Sequence, residues 1–214
     1  MRVVIAGGHG QIALKLEKAL ADRGDSPVGI VSNPDHVRDV EAAGAEAVVL
    51  DLEAAEVAAV ADVVQGADAV VFAAGGGPNS GAARKETVDK GAAVLLADAA
   101  EQAGVRRYVM ISSMDTETAD PDSDDVFQVY LRAKKAADDD LRTRDLDWTI
   151  VRPGRLTDES GSNRVQVGTL SRGDVPRADV AAVLAGVLST DSTIGATFDV
   201  LSGDQTIEAA LRSV

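Results

Sequence analysis

The chain has 214 residues, of which 45% are apolar and 3% aromatic, with no cysteine and a formal net charge of −14. That length and apolar content support a single domain with a core of Val, Ala, Leu and Ile, and argue against disorder. The lack of cysteine excludes disulfides and thiolate metal sites and fits a cytoplasmic protein, while the acidic balance argues against nucleic acid or an anionic membrane as partner.

Strand-like and helix-like segments alternate in chain order. Arg2 to Ala6 is a short β-branched run that predicts a buried strand. Ile12, Leu16 and Leu20 then recur at helical spacing through Arg23. Val28 to Val31 predicts a second strand, and Pro34 opens a helix that Gly44 ends. Ala47 to Leu50 predicts a third strand, Glu53 to Val64 a helix, and Asp68 to Ala73 a fourth strand. Gly75-Gly76-Gly77-Pro78 marks a loop before a long Ala-rich helix from Ala82 to Ala103. Arg107 to Ser112 predicts strand five, and the acidic stretch Asp115 to Asp125 a solvated loop. A helix from Val126 to about Arg144 precedes strand six, Asp147 to Arg152, which Pro153-Gly154 breaks. An irregular segment follows, then a helix near Pro176 to Leu188, a strand from Thr197 to Leu201, and a short helix from about Gln205.

Parallel strands need helical crossovers, and helices on both faces make strands apolar throughout. The pattern therefore predicts an α/β fold: one doubly wound Rossmann-like domain over 1–214, with a mainly parallel sheet of about seven strands. Residues 153–214 would contribute a small substrate-side portion. No apolar run approaches the length of a membrane span, and the one after Met1 is too short for a signal sequence. His9 and His36 lack ligand-spaced partners, so no metal site is expected. Asp outnumbers Glu by 25 to 10, a bias that fits a high-salt habitat and genomic base composition equally well.

Strand one runs into Gly7-Gly8-His9-Gly10-Gln11-Ile12-Ala13. The spacing Gly-x-x-Gly-x-x-Ala permits a sharp turn at Gly7, close approach of a diphosphate at Gly10, and tight helix packing at Ala13. The following helix start offers free N–H groups and a positive dipole end. The end of strand two carries Ser32-Asn33 where a carboxylate would bond a ribose 2′-hydroxyl, so a 2′-phosphate meets no repulsion and the balance leans to NADP(H) over NAD(H). Ser32-Asn33 also reads as a helix cap. Asp51-Leu52 follows strand three, where adenine would lie, and Asp51 alternatively caps the next helix.

Strand five ends in Ser112-Ser113, and Tyr130 and Lys134 stand four apart on the helix after it. Residues at that spacing share a face. A neighbouring ammonium stabilises a phenolate, which suits Tyr130 to proton transfer, with Lys134 and Ser113 positioning. Tyr-x-x-x-Lys also arises by chance on helices.

These features, with DWTIVRPGRLTD at 147–158 and SRGDVPRADVA at 171–181, resemble the short-chain dehydrogenase/reductase superfamily, nearest its atypical NmrA-like and biliverdin-reductase-B-like branch. The resemblance covers essentially the whole chain. It implies that Gly7, Gly10, Gln11 and Ile12 line the pyrophosphate, that Ala73-Ala74-Gly75 passes the adenosine ribose, and that Pro153-Gly154 faces the nicotinamide. It further implies that Ser113 or Ser112, Tyr130 and Lys134 carry chemistry. Two departures stand out: Ser32 replaces an arginine frequent in NADP-preferring relatives, and Ala13 replaces the third glycine. The leading expectation is hydride transfer between NAD(P)(H) and a small carbonyl or quinone-like substrate. The alternatives are a non-catalytic redox sensor that passes cofactor state to a partner, and a sugar epimerase or dehydratase. Residues 81–90 and 154–173 are candidate covers for the site, and fold analogy offers a homodimer through the long helices.

Overall fold

The computed structural model describes residues 1–77 and 80–214. In chain order, β1 (Arg2–Ala6), α1 (Gln11–Asp22), β2 (Ser26–Val31), α2 (Val37–Ala42), β3 (Glu46–Val49), α3 (Val57–Val64) and β4 (Ala69–Phe72) form the first half. The long second-half helix starts as α4 (Ala82–Arg84), passes through a π-helical segment Lys85–Ala92, and continues as α5 (Ala93–Ala103). β5 (Arg107–Ile111), α6 (Val126–Arg142) and β6 (Asp147–Pro153) follow, then β7 (Arg155–Thr157), β8 (Arg164–Gly168) and β9 (Asp174–Pro176). α7 (Arg177–Val187), β10 (Ala196–Ser202), β11 (Gln205–Thr206) and α8 (Ile207–Leu211) close the chain.

The main sheet has nine strands in the order β11-β8-β10-β6-β5-β4-β1-β2-β3. Seven of them, from β3 to β10, are mutually parallel, and β8 and β11 add an antiparallel edge beyond β10. The expected count of about seven thus matches the parallel strands and misses that edge. The strand order reverses between β1 and β4, which opens a crevice at their C-terminal ends.

Alternation along β1 shows why both faces are apolar. Val3 and Ile5 pack with α1 and α7 on one side, and Val4 and Ala6 pack with α3 and α5 on the other. Ala13, Leu16 and Leu20 of α1 recur every three to four residues and are fully buried. Gly104 ends α5 in the left-handed region at φ 72°, as a glycine after an Ala-rich helix does.

Several expectations need correction. The helix expected from Glu53 begins only at Val57, because residues 51–54 form a turn held by Asp51 and the bond from Ala54 N–H to its carbonyl. The helix expected from Pro34 opens as a 3-10 turn, Pro34–His36. The segment after Gly154 is not irregular: β7 pairs β9, and β8 joins the main sheet. Its connection is held by buried Asp179, whose carboxylate accepts from the backbone of Ser162 and Asn163 and from the Ser162 hydroxyl. Pro78 of the expected glycine-rich loop lies outside the described residues.

Candidate active site

Gly7 turns the chain at φ 83°, and a Cβ there would lie 2.6 Å from the Cα of Ala74. Only glycine allows β1 to pass β4 so closely while turning. The amides of Gly7 and Gly8 are both consumed by the Ile30 carbonyl, at 3.2 and 2.9 Å. Gly10 occupies the cap position of α1 without a side-chain bond, and the first amide bonded within the helix is that of Leu14, to the Gly10 carbonyl. The N–H groups of Gln11, Ile12 and Ala13 therefore have no protein acceptor among the described residues. Three converging free amides at a helix start suit a diphosphate. The residues present fit a dinucleotide on that observation.

A cavity of about 350 Å³ continues from this loop past the ends of β2 and β3. Gly7, His9, Gly10, Ser32, Asp51, Leu52, Ala73, Ala74 and Gly75 of the expected set line it, as do His36, Glu53 and Arg84. His9 stacks on His36 with centroids 3.6 Å apart, and its Nε2 is 2.7 Å from Asp39. Three expected residues stand elsewhere. Gly8 lies beneath the loop against Gly29. Asn33 caps the 3-10 turn by accepting from Asp35 N–H, which occupies its side chain as a cap would. Gln11 contributes its free amide, while its side chain is exposed on the outer surface. Asp51 accepts from Glu53 N–H in a turn and is not the α3 cap, a position held by Glu56.

A second cavity, of about 640 Å³, shares Ala73, Ala74 and Gly75 with the first. Ile12, Ser112, Ser113, Tyr130, Lys134, Pro153 and Gly154 all line it. Chain positions far apart thus meet at one cleft along the C-terminal edge of the sheet. α6 starts where Asp125 accepts from the amides of Phe127 and Gln128, and this cap sets the register that presents Tyr130 and Lys134. Ser113 also faces an adjoining cavity of about 740 Å³. Ser112 is buried beside Asp138, with no partner in good hydrogen-bond geometry for its hydroxyl among the described residues.

The side chains pair differently from the sequence expectation. Lys134 is buried and does not turn to Tyr130: it donates to the Ile111 carbonyl at 3.1 Å and sits 3.5 Å from Asp89. The ammonium over the Tyr130 ring is that of Lys85, 5.4 Å from the centroid, which also donates to the Gly77 carbonyl at 2.6 Å. Asp89 is fully buried; one oxygen accepts from Gly76 N–H at 3.0 Å, and among the described residues the other has only the Lys134 contact. Behind Ser112, Arg152 donates two bonds to buried Asp138, at 3.0 and 2.8 Å, and one to Glu117. Burial pushes the Asp138 carboxyl up, and Arg152 and Ser112 oppose that shift. Glu117 is held below the ordinary carboxylate range, chiefly by its bond from Arg152. This pair fixes α6 against β6 and so supports the wall that carries Tyr130.

Lys85 and Asp89 were not anticipated, although a signal exists. The apolar stripe Ala92, Ala93, Leu96, Ala100 extends backwards onto Asp89 and Lys85, and charges on the buried face of an Ala-rich helix call for a partner. Arg177, Phe127 and Leu156 also line the second cavity, and nothing in their local sequence marks them.

Residues 7–191 match a family model described as NAD(P)H-binding. The chain belongs to that family. As a family member it is 34% identical over its whole length, and over the whole of the relative, to a Bacillus subtilis (strain 168) protein named as an uncharacterized sugar epimerase, YhfK. Among solved structures, a Bacillus halodurans protein described as an NAD-dependent epimerase/dehydratase superposes with a TM-score of 0.92 at 36% identity, covering 100% of both chains. An oxidoreductase, ylbE, from Lactococcus lactis gives 0.88 at 27% identity, covering 100% of this chain and 96% of that one. The family is thus one of NAD(P)H-binding, oxidoreductase- and epimerase-like proteins, in keeping with the resemblance to the atypical short-chain branch. No described helix is long and apolar enough to cross a membrane.

Proposed function

We propose that this protein is an NAD(P)H-dependent oxidoreductase acting on a carbonyl or quinone-like substrate, with Tyr130 as the proton-transfer residue. The observation that carries this reading is the sharing of one cavity by Ser113, Tyr130 and Lys134 with the loop of free amides at its end. The amides of Gln11 to Ala13, with Gly7 and Gly10, would hold the diphosphate. Asp51 and Leu52 would meet the adenine, Ala73 to Gly75 the adenosine ribose, and Pro153, Gly154 and Lys134 the nicotinamide riboside. When bound, the nicotinamide supplies or accepts the hydride. Ser113 at the lip of the cavity holds the substrate oxygen, and the Tyr130 hydroxyl gives or takes the proton there. Lys134, held by the Ile111 carbonyl and by Asp89, lines the same cavity.

NADP(H) is the preferred cofactor on this reading. Ser32 lines the adenosine end, no carboxylate stands at the end of β2, and His36 and Arg84 face the same cavity. Titrating NADPH and NADH separately tests this, and tighter NADH binding would reverse it. For the activity, NADPH is mixed with a panel of quinones, flavins and aldehydes while the reduced nicotinamide absorbance is followed. Turnover is expected, with Tyr130→Phe lowering kcat by about 10²- to 10⁴-fold while NADPH binding is retained. Cofactor binding without turnover on any panel member would instead leave a cofactor sensor. The name of the Bacillus subtilis relative favours one second reading, a sugar epimerase using the same three residues. Interconversion of a nucleotide sugar with no net cofactor consumption would establish it.

A further inference from the structure

Glu17 is a carboxylic acid that the proposed chemistry does not use. It stands on the buried face of α1, 0% exposed, and neither of its oxygens is bonded among the described residues. Its side chain reaches between the glycine loop and β2. A Cβ on Gly8 would lie 2.9 Å from its Oε1, and one on Gly29 only 2.5 Å. The carboxyl thus fills the space that two missing side chains leave. The same point on Gly29 is 2.9 Å from Val40, so α2 closes the pocket, beside the apolar cluster of Val31, Val40 and Ala45. The loop offers no donor, because the amides of Gly7 and Gly8 both bond the Ile30 carbonyl.

The charged groups on the surrounding elements are engaged elsewhere or face solvent. β2 carries none. His9 of the loop pairs with Asp39 of α2 and stacks on His36. Arg38 and Glu41 of α2 are exposed, as are Lys15 and Lys18 on α1 itself. Burial alone pushes the Glu17 carboxyl up, to about 8, so it is neutral below that pH and ionised above it. The free amides of Gln11, Ile12 and Ala13 begin the same helix four to six residues earlier, about 6–9 Å along its axis. A buried anion at that range opposes a diphosphate held there, and salt screens it little.

We propose that Glu17 is a proton-linked control on cofactor binding: neutral, it leaves the amide cradle open to a diphosphate, and ionised, it weakens that binding. The coupling is reciprocal, so the bound cofactor holds the proton on the carboxyl and alkaline conditions release the cofactor. The inference rests on the diphosphate lying at the amides of Gln11 to Ala13 and needs no turnover.

NADPH is titrated into the whole protein by calorimetry at about pH 7 and 9, either side of the Glu17 transition, and near pH 8 in two buffers of different ionisation enthalpy. Wild-type affinity is expected to fall about fivefold from the lower to the higher pH, with roughly 0.4 of a proton taken up per NADPH near pH 8. The 2′-phosphate, whose second ionisation lies at about pH 6, stays charged throughout. Glu17→Gln should bind NADPH at the higher pH within about twofold of the wild type at the lower one, and lose the proton uptake. Glu17→Leu should do the same, so that the effect follows the charge and not a bond made by the amide. Wild-type affinity that is flat or rises over this range, or a fall and an uptake that persist in both variants, overturns the proposal. Binding at neither pH overturns it together with the dinucleotide reading. Proton-linked binding lost in both variants, without turnover of any substrate, supports it and sinks only the enzyme reading.

Discussion

Gly7 and Glu17 carry the two sharpest single-residue predictions. At Gly7 a methyl group meets the Ala74 backbone at 2.6 Å in a left-handed conformation, so Gly7→Ala must displace β4 or the loop. It should lower Tm and weaken NADPH binding at least about tenfold, the latter measured by calorimetry at a temperature where the variant is folded. Glu17 lies on the buried face of α1, with neither carboxylate oxygen bonded among the described residues. Gly8 and Gly29 leave room for it: a Cβ on either would come within 2.9 Å of its Oε1. Burial pushes this carboxyl up from an ordinary 4.5 to about 8. Between those values the folded protein keeps a proton that the unfolded chain releases, so its contribution to stability falls as pH rises through that window and then levels off. Glu17→Gln removes the titration. The variant should match the wild type near the low end of the window and exceed it at the high end, by roughly 2 kcal/mol once relaxation is allowed for. Melting curves across that range decide it, and an advantage that does not grow with pH refutes the account.

Among the elements, the π-helical segment Lys85–Ala92 does most to shape the site. Extra residues per turn are uncommon in helices and recur at functional positions. Here the segment brings Lys85 and Asp89 inward together, one beneath Tyr130 and the other against Lys134 and Gly76. Asp89 thereby ties the loop beyond β4 to α6. Removing one member of a buried pair leaves an uncompensated charge, so Asp89→Ala should cost about 3 kcal/mol in urea unfolding. Replacing both members, Asp89→Leu with Lys134→Met, should recover most of that loss while abolishing activity. If the double variant is no more stable than the single one, the pairing account fails. α7 and the β7–β9 pair act together in a similar way, since buried Asp179 holds residues 162–163 and Arg177 begins the helix at the cavity.

At the scale of the whole molecule, a net charge of −14 on 214 residues makes self-repulsion a general term against compactness. Salt screens it, so Tm should climb by several degrees between about 0.05 and 1 M KCl. A flat or falling profile would mean that surface ion pairs, such as those joining Arg144 to Asp98, Glu101 and Asp140, outweigh the repulsion.

The alternation of β-branched runs with Ala- and Leu-rich helices was enough to fix the doubly wound class and to locate the amide cradle after β1, because both depend on periodicity and glycine spacing within short stretches. That Ser113, Tyr130 and Lys134 line one cavity was legible for the same reason: they sit at a strand end and on a helix face. The partners of those residues were not. Lys134 meets Asp89 and Ile111 rather than Tyr130, Lys85 takes the place over the phenol ring, and Arg177 arrives from a helix packed on the other face of the sheet. Such pairings depend on a π-helical widening and on how distant elements dock. Those are settled by packing volume and charge compensation across the folded chain, not by any local pattern of residues.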